Sequence, residues 1–468
     1  MLPVYVPGRG AVDSFADDVG MPHNAVRLVV GLVLGCVLAP LSHVVVAPTS
    51  RHALNTLLGV SIGWFVFDFN LVHSLVPTLL TYGLMSFAPR ELVGPVASAI
   101  LFMHLIACHA YRELLGADII WDGAQMVLTL KLAGTAISYS DAVLPLNQKT
   151  PSILRNQVTA KPSLLSVLGY VYFFPTFLVG PIFELNDYLA WTDDAQVAPV
   201  AVILPKLGTL IVCIAGHAAS EVLFPIMTMD APPYYASYAF PARFVLQLAA
   251  TMFYKFRFYM VWQFGEVGGV LAGYGYDPNT HEWDGLRNNN LLLVEFPVNL
   301  RVAVNNWNIK VATWLHTYIY QRVGHKQGKP TFVSILSVFV ASALWHGLLP
   351  GYYAFFIVAG LGVEVGRHIR RHVRPYFHYT EDRQAHPWAF FGDFLDPSKG
   401  SRLAIVYDLG GVALSWVMIN YCAPSFVWLD MTRCFNWWAT VYYAPHVMIV
   451  VALVLFTGTA AKSTKKSD

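Results

Sequence analysis

Runs of roughly 20 mostly apolar residues, the length a helix needs to cross a bilayer, recur along this chain. They lie near 26–47, 52–69, 71–88, 93–115, 164–182, 199–225, 238–263, 331–349, 351–366, 403–428 and 437–458. Backbone placed in hydrocarbon must satisfy its own hydrogen bonds, and a helix does so within one segment. The runs therefore predict an all-α, polytopic integral membrane protein with about eleven transmembrane helices. Only 12% of residues are charged, half of what a soluble protein carries (about 25%), and this excludes a soluble domain with a large core. Two segments fit less well. "GAQMVLTLKLAGTAISYS" (123–140) is half apolar and carries Lys131, and "VATWLHTYIY" (311–320) is too short to span. Both read as interfacial or re-entrant helices. No internal repeat is visible, which argues against an inverted-repeat transporter. The expected organisation is a polar N-terminal segment (1–25), a multispanning domain (26–458) and a basic tail (459–468).

The polar segments bear on orientation. The N-terminal stretch lacks the basic-then-apolar layout of a cleaved signal peptide, so the first apolar run is expected to direct insertion. Residues 141–162 carry Lys149, Arg155 and Lys161, "RHIRRHVR" (367–374) carries four arginines, and "AKSTKKSD" (461–468) carries three lysines. Basic short loops favour the cytosolic side. Two expected spans separate the arginine-rich loop from the tail, so both fall on one side and the C-terminus is cytosolic. "RHIRRHVR" reads either as topology marking or as a patch for phosphates of lipid headgroups or of a nucleotide-bearing cofactor. Lys465 and Lys466, fourth and third from the end, resemble the dilysine retrieval signal of endoplasmic reticulum membrane proteins. Nothing in the charge pattern calls for nucleic acid. The five cysteines (Cys36, Cys108, Cys213, Cys422, Cys434) show no metal-site spacing and read as small buried hydrophobes. His104 and His109 are five apart, poor spacing for a shared ligand on a helix, and read as structural. No metal is expected.

Ionisable or strongly polar residues at membrane depth are functional suspects. His346 lies in "WHGLLPGYYAFF", between Trp345 and Gly347, with a Pro350-Gly351 break following. Irregular backbone at that depth must be buried in protein or line a wet cavity, so His346 is expected to face a cavity. In "NNWNIKVATWLHTYIYQR", Asn305 or Asn306 reads as a helix cap, while Asn308 falls inside the start of the helix. Thirty-eight positions separate Asn308 from His346, which excludes one helix face and allows two elements meeting across a chamber. In "YKFRFYMVWQFGE", Lys255 and Arg257 interrupt an aromatic run. They read either as contacts for an anionic ligand or as internal ion pairs with a carboxylate such as Glu184.

Together these stretches resemble the membrane-bound O-acyltransferases, and within them the lysophospholipid acyltransferase branch, from about residue 100 onward. The resemblance is carried by Trp121-Asp122 and by Trp345, His346, Gly347, Gly351, Tyr352 and Phe356 of the "WHGxxxGYxxxF" block. It is carried also by Tyr254 and Tyr259, by "FFPTFLVGPIFELNDY" (173–188), and by Trp307, Asn308, Trp314 and Leu315. A last block, "WATVYYAPH" (438–446), departs from the family at Trp438 and Tyr443, in packing positions. The resemblance implies acyl transfer from acyl-CoA to the free hydroxyl of a lysophospholipid inside a reaction chamber, with no cofactor beyond acyl-CoA as co-substrate. It places the catalytic histidine at His346 and its partner asparagine at Asn308. A histidine, with an ordinary pKa of about 6.5, suits the deprotonation of an attacking hydroxyl. Asn308 would orient the imidazole or donate to the developing oxyanion. Acyl-CoA is already activated, which fits the absence of a Ser–His–Asp or Cys–His pattern. Trp307, Trp345, Tyr352, Tyr254, Tyr259, Trp262 and Glu184 are expected to line the substrates. Lys255 and Arg257 are candidates for the phosphates of CoA or of the lysolipid. Other acceptors (diacylglycerol, sterol or protein) and a multipass transporter are the alternatives.

Overall fold

Helices make up every long element of the computed structural model, which describes residues 8–116, 121–229, 237–326, 329–330, 332–377 and 402–464. Strand structure among the described residues is confined to a two-residue antiparallel pair, His325–Lys326 with Lys329–Pro330. The helices used below are α1 (His23–Val37), α2 (Pro48–Phe67), α3 (Val72–Phe87), α4 (Arg90–Leu115), α5 (Asp122–Asp141), α6 (Leu164–Val171), α7 (Val200–Leu223), α8 (Phe240–Tyr254), α9 (Phe256–Leu271), α10 (Leu300–Asn306), α11 (Ile309–Leu315), α12 (Phe332–His346), α13 (Pro350–His372), α14 (Arg402–Trp428), α15 (Met431–Thr440) and α16 (Ala444–Thr464).

Among the described residues, five helical segments are long and apolar enough to cross a membrane: His23–Val44, Pro48–Phe87, Arg90–Leu114, Val200–Thr228 and Ile405–Trp428. The pair α15 and α16, bent by 82°, gives a sixth if it is one span. α7 leaves Leu204, Ile211 and Val212 exposed, an apolar surface that suits lipid. The chain is a multispanning membrane protein. Fewer helices meet the test than there are apolar runs, because several runs are interrupted. The run 238–263 is split at Lys255 into α8 and α9, and 331–349 stops at His346. The run 164–182, expected to span, does not: α6 is eight residues long, and Tyr172–Phe183 follows without regular helix.

The chain divides into two compact units. The first comprises Met1–Cys213, Met260–Asn288 and Lys310–Leu348, and the second Ile214–Tyr259, Asn289–Ile309 and Leu349–Asp468. In the first unit α5 is the central element. Fifteen of its 20 residues are buried, so it packs as an internal helix and not as the interfacial surface helix that its half-apolar sequence suggests. A helix surrounded by protein can carry polar residues if each finds a partner. Lys131 Nζ donates to the Tyr170 carbonyl at 2.6 Å and lies over the Tyr170 and Phe183 rings. The irregular stretch after α6 packs Phe173 edge-on to Phe183 and Trp191. It presses so closely on α2 that a Cβ at Gly59 would overlap the Tyr172 carbonyl.

The second unit has its own core, built on Tyr421, Trp437, Trp438 and Val358. Gly351, at the start of α13, brings that helix against the Ser425 carbonyl of α14. Tyr421 Oη is 2.6 Å from His446 Nδ1, and Trp438 stands edge-on to the same ring at 4.7 Å. Trp438, where the last sequence block departs from the family, is thus a core residue, 3% exposed.

Candidate active site

His346 is the last residue of α12. The helix stops there because Gly347 turns away at φ 155°, a backbone angle that side chains disfavour, and because α13 starts afresh at Pro350. The Trp345 ring stands at 64° to the half-buried His346 imidazole, with centroids 4.5 Å apart, and its indole N–H donates to the Met126 carbonyl of α5 at 2.9 Å. Nearby in the first unit, Trp121 stacks flat on His73 at 3.9 Å, and Asp122 at the first turn of α5 is paired with Arg112. His104 contacts Gln125 at 3.1 Å, whereas His109 faces the Trp345 carbonyl at 3.1 Å. The two histidines therefore have separate surroundings. Among the described residues no three His, Cys, Asp or Glu side chains converge as a metal site needs.

Glu184 also belongs to the first unit. It borders a cavity of about 360 Å³ that Lys131, Arg155, Asp187, Lys310 and Trp314 also line. Tyr318 Oη donates to its carboxylate at 2.8 Å, yet burial pushes the carboxyl up to about 7. Burial also lowers the Lys310 ammonium. Trp262, half-buried on α9, completes the set of expected site residues found in this unit.

The second unit holds the other seven. Asn308 joins α10 to α11 with φ 47°, in the left-handed region that asparagine enters more readily than most residues. Of the two asparagines before it, Asn306 bonds back to the Val302 carbonyl at 2.8 Å, while the cap of α10 is Asn299. Trp307 packs edge-on against Phe258 and Tyr259, with centroids at 5.8 and 5.3 Å. Lys255 forms an internal ion pair, but with Glu295 at 2.7 Å and not with Glu184. Tyr259 Oη donates to the other Glu295 oxygen at 2.6 Å. Arg257 is exposed and donates to Tyr254 Oη at 2.7 Å. Tyr352 sits edge-on to Phe426 at 4.9 Å, and Phe258 touches the same ring.

Tyr254, Lys255, Tyr259 and Trp307, expected as substrate contacts from separate sequence blocks, are brought into one neighbourhood by the structure, which adds Glu295 to them. The signal for Glu295 is a lone carboxylate closing the apolar run "LLLVE". Chemically, Glu295 is a fully engaged carboxylate, while His346 is a polar side chain at a helix break.

Comparison with known proteins adds the following. The model of the membrane-bound O-acyltransferase family matches residues 106–395. The lysophospholipid acyltransferase of Schizosaccharomyces pombe is 29% identical, over 86% of this chain and 81% of its own length. Lysophospholipid acyltransferase 2 of Arabidopsis thaliana is 26% identical over 95% of each chain. Membrane-bound glycerophospholipid O-acyltransferase 1 of Homo sapiens is 26% identical, over 87% of this chain and 82% of its own.

Proposed function

Since the chain belongs to the membrane-bound O-acyltransferase family, we propose that it transfers a fatty acyl group from acyl-CoA to the free hydroxyl of a lysophospholipid. The observation that carries this reading is similarity along nearly the whole chain to proteins named lysophospholipid acyltransferase.

The proposed mechanism assigns His346 as general base. The lysolipid hydroxyl oxygen attacks the thioester carbonyl carbon while its proton passes to the imidazole. The tetrahedral intermediate then collapses, the C–S bond breaks, and the imidazolium returns the proton to the departing thiolate. General-base help of this kind is worth about 10²–10⁴-fold. Asn308 serves the same step, orienting the imidazole or donating to the oxyanion. Trp307, Trp345, Tyr352, Tyr254, Tyr259, Trp262 and Glu184 are assigned to the walls of the chamber. Of the two cations, Arg257, exposed beside Tyr254, is assigned to a substrate phosphate. Lys255 is assigned to the scaffold because Glu295 already neutralises it. No cofactor is required. The proposal includes about eleven crossings, with the shorter and broken helices completing the bundle. It also includes residence in the endoplasmic reticulum with a cytosolic C-terminus, on the strength of Lys465 and Lys466, which lie outside the described residues.

The test is to incubate the purified protein with labelled oleoyl-CoA and a panel of lysophospholipids beside diacylglycerol, a sterol and a peptide. Label is expected in diacyl phospholipid. If no lysolipid is acylated at any pH, the reading fails.

A further inference from the structure

α12 ends at His346, and the last carbonyls of any helix lack partners within it. The last amide bonded back into α12 is that of Gly347, to the Ala343 carbonyl at 3.0 Å. The Trp345 carbonyl finds its partner on α4, where His109 Nε2 lies 3.1 Å away. A carbonyl can only accept, so Nε2 carries the proton. His109 is 0% exposed, and its Nδ1 has no hydrogen-bond partner among the described residues. Burying a polar atom without a partner costs about 1–3 kcal/mol. A phenylalanine would fill the same space without that cost, so what the histidine supplies here is its bond to the Trp345 carbonyl.

One turn further along α4 is Glu113, on the same helix face as His109 because the two are four residues apart. Its side chain is 3% exposed. Glu113 Oε2 accepts the Leu348 amide at 3.0 Å, and Oε1 accepts Arg112 at 2.9 Å. Arg112 also bonds Asp122, so the guanidinium is held between two carboxylates and fixes the direction of this one. The Trp345 indole is separately tied to Met126. Backbone groups on both sides of His346, at 345 and 348, are therefore held by two buried side chains of one helix, across a glycine that by itself would let the segment swing.

We propose that His109 and Glu113 are positioning residues that clamp the Trp345–Leu348 segment and thereby aim the His346 imidazole. The inference rests on the reading of His346 as general base. A displaced base lowers the chemical step and leaves ground-state binding nearly unchanged, so the clamp is read in kcat and not in KM.

The experiment compares His109→Phe with His109→Gln, and Glu113→Leu with Glu113→Gln, all purified in detergent, with His346→Ala alongside. Glutamine at 109 presents an N–H close to the place of Nε2, and glutamine at 113 keeps an oxygen for the Leu348 amide. The apolar variants are expected to lose about 10–100-fold in kcat, with KM for both substrates within about threefold of wild type. The glutamine variants are expected to recover most of that loss. If an apolar variant does not accumulate, His109→Asn or Glu113→Asp, which keep the polarity but fall short of the backbone, takes its place with the same expectation. Wild-type kcat in both apolar variants, or a loss that glutamine does not restore, overturns the clamp. Activity in His346→Ala counts instead against the base assignment, so the two failures are distinguishable.

Discussion

His346 and Asn308 are held in place by different means. His346 ends a helix, and its neighbours are fixed by side chains that bond backbone atoms, at Trp345 and Leu348. Asn308 takes a left-handed backbone conformation between two short helices, and Trp307 beside it is wedged among aromatic rings. The contrast decides what a mutation reports. Removing the imidazole keeps the backbone bonds at Trp345 and Leu348. Removing the Asn308 side chain also puts a residue with poorer tolerance of positive φ at that joint, so an alanine there mixes chemistry with strain.

The largest expected effect is at His346. His346→Ala should lose at least about 10²–10⁴-fold in kcat with an unchanged melting temperature, measured by label transfer and thermal unfolding in detergent. An altered melting temperature would show that the imidazole also supports its helix end. Next comes the buried ion pair of the second unit. Glu295→Leu leaves Lys255 buried and unpaired, and breaking such a pair costs about 3–5 kcal/mol. Adding Lys255→Met should return much of that stability, and failure to do so would mean that the Tyr259 bond dominates. Asn308 follows. Asn308→Gly keeps the backbone angle available and removes the amide, so it should lose about 10²-fold in kcat with little loss of stability. Asn308→Ala should lose both. Equal stability in the two variants would remove the argument from φ.

The smallest effect concerns Glu184. Its carboxyl is raised to about 7 in the folded protein, from 4.5 when free, so its contribution to stability is fully present below about 4.5 and fades as pH rises towards 7. Glu184→Gln should therefore gain on the wild type between pH 5 and pH 8, by about 2 kcal/mol. A difference in stability that does not change with pH would contradict this.

Much of the fold was legible because lipid selects strongly for composition. The runs at 52–69, 71–88 and 93–115 correspond closely to α2, α3 and α4. Hydropathy fails where protein, not lipid, surrounds a segment. α5 looked interfacial because Lys131, Thr129 and Gln125 dilute its apolar residues, yet all three are buried. The run at 164–182 looked like a span because its aromatic residues count as apolar, but after α6 they pack an irregular stretch. At the candidate site, motif residues such as Trp345 and Trp307 were visible as motifs. Their supports were not, because His109 lies 236 positions from its partner, a separation that no local pattern encodes. Asn308, expected inside the start of a helix, instead lies at the joint before Ile309–Leu315, in a left-handed conformation that asparagine enters more readily than most residues and that only the backbone angle reveals.

The burial of α5 has a consequence for how the enzyme meets its solvent. A helix that faces lipid adjusts its tilt when the bilayer thins or thickens. α5, wrapped in protein on nearly every side, has no lipid-facing stripe through which thickness could act. It carries the Met126 carbonyl to which the Trp345 indole is tethered. The chemistry proposed at His346 is thus anchored to a helix buried in protein, away from the membrane that the reaction itself remodels.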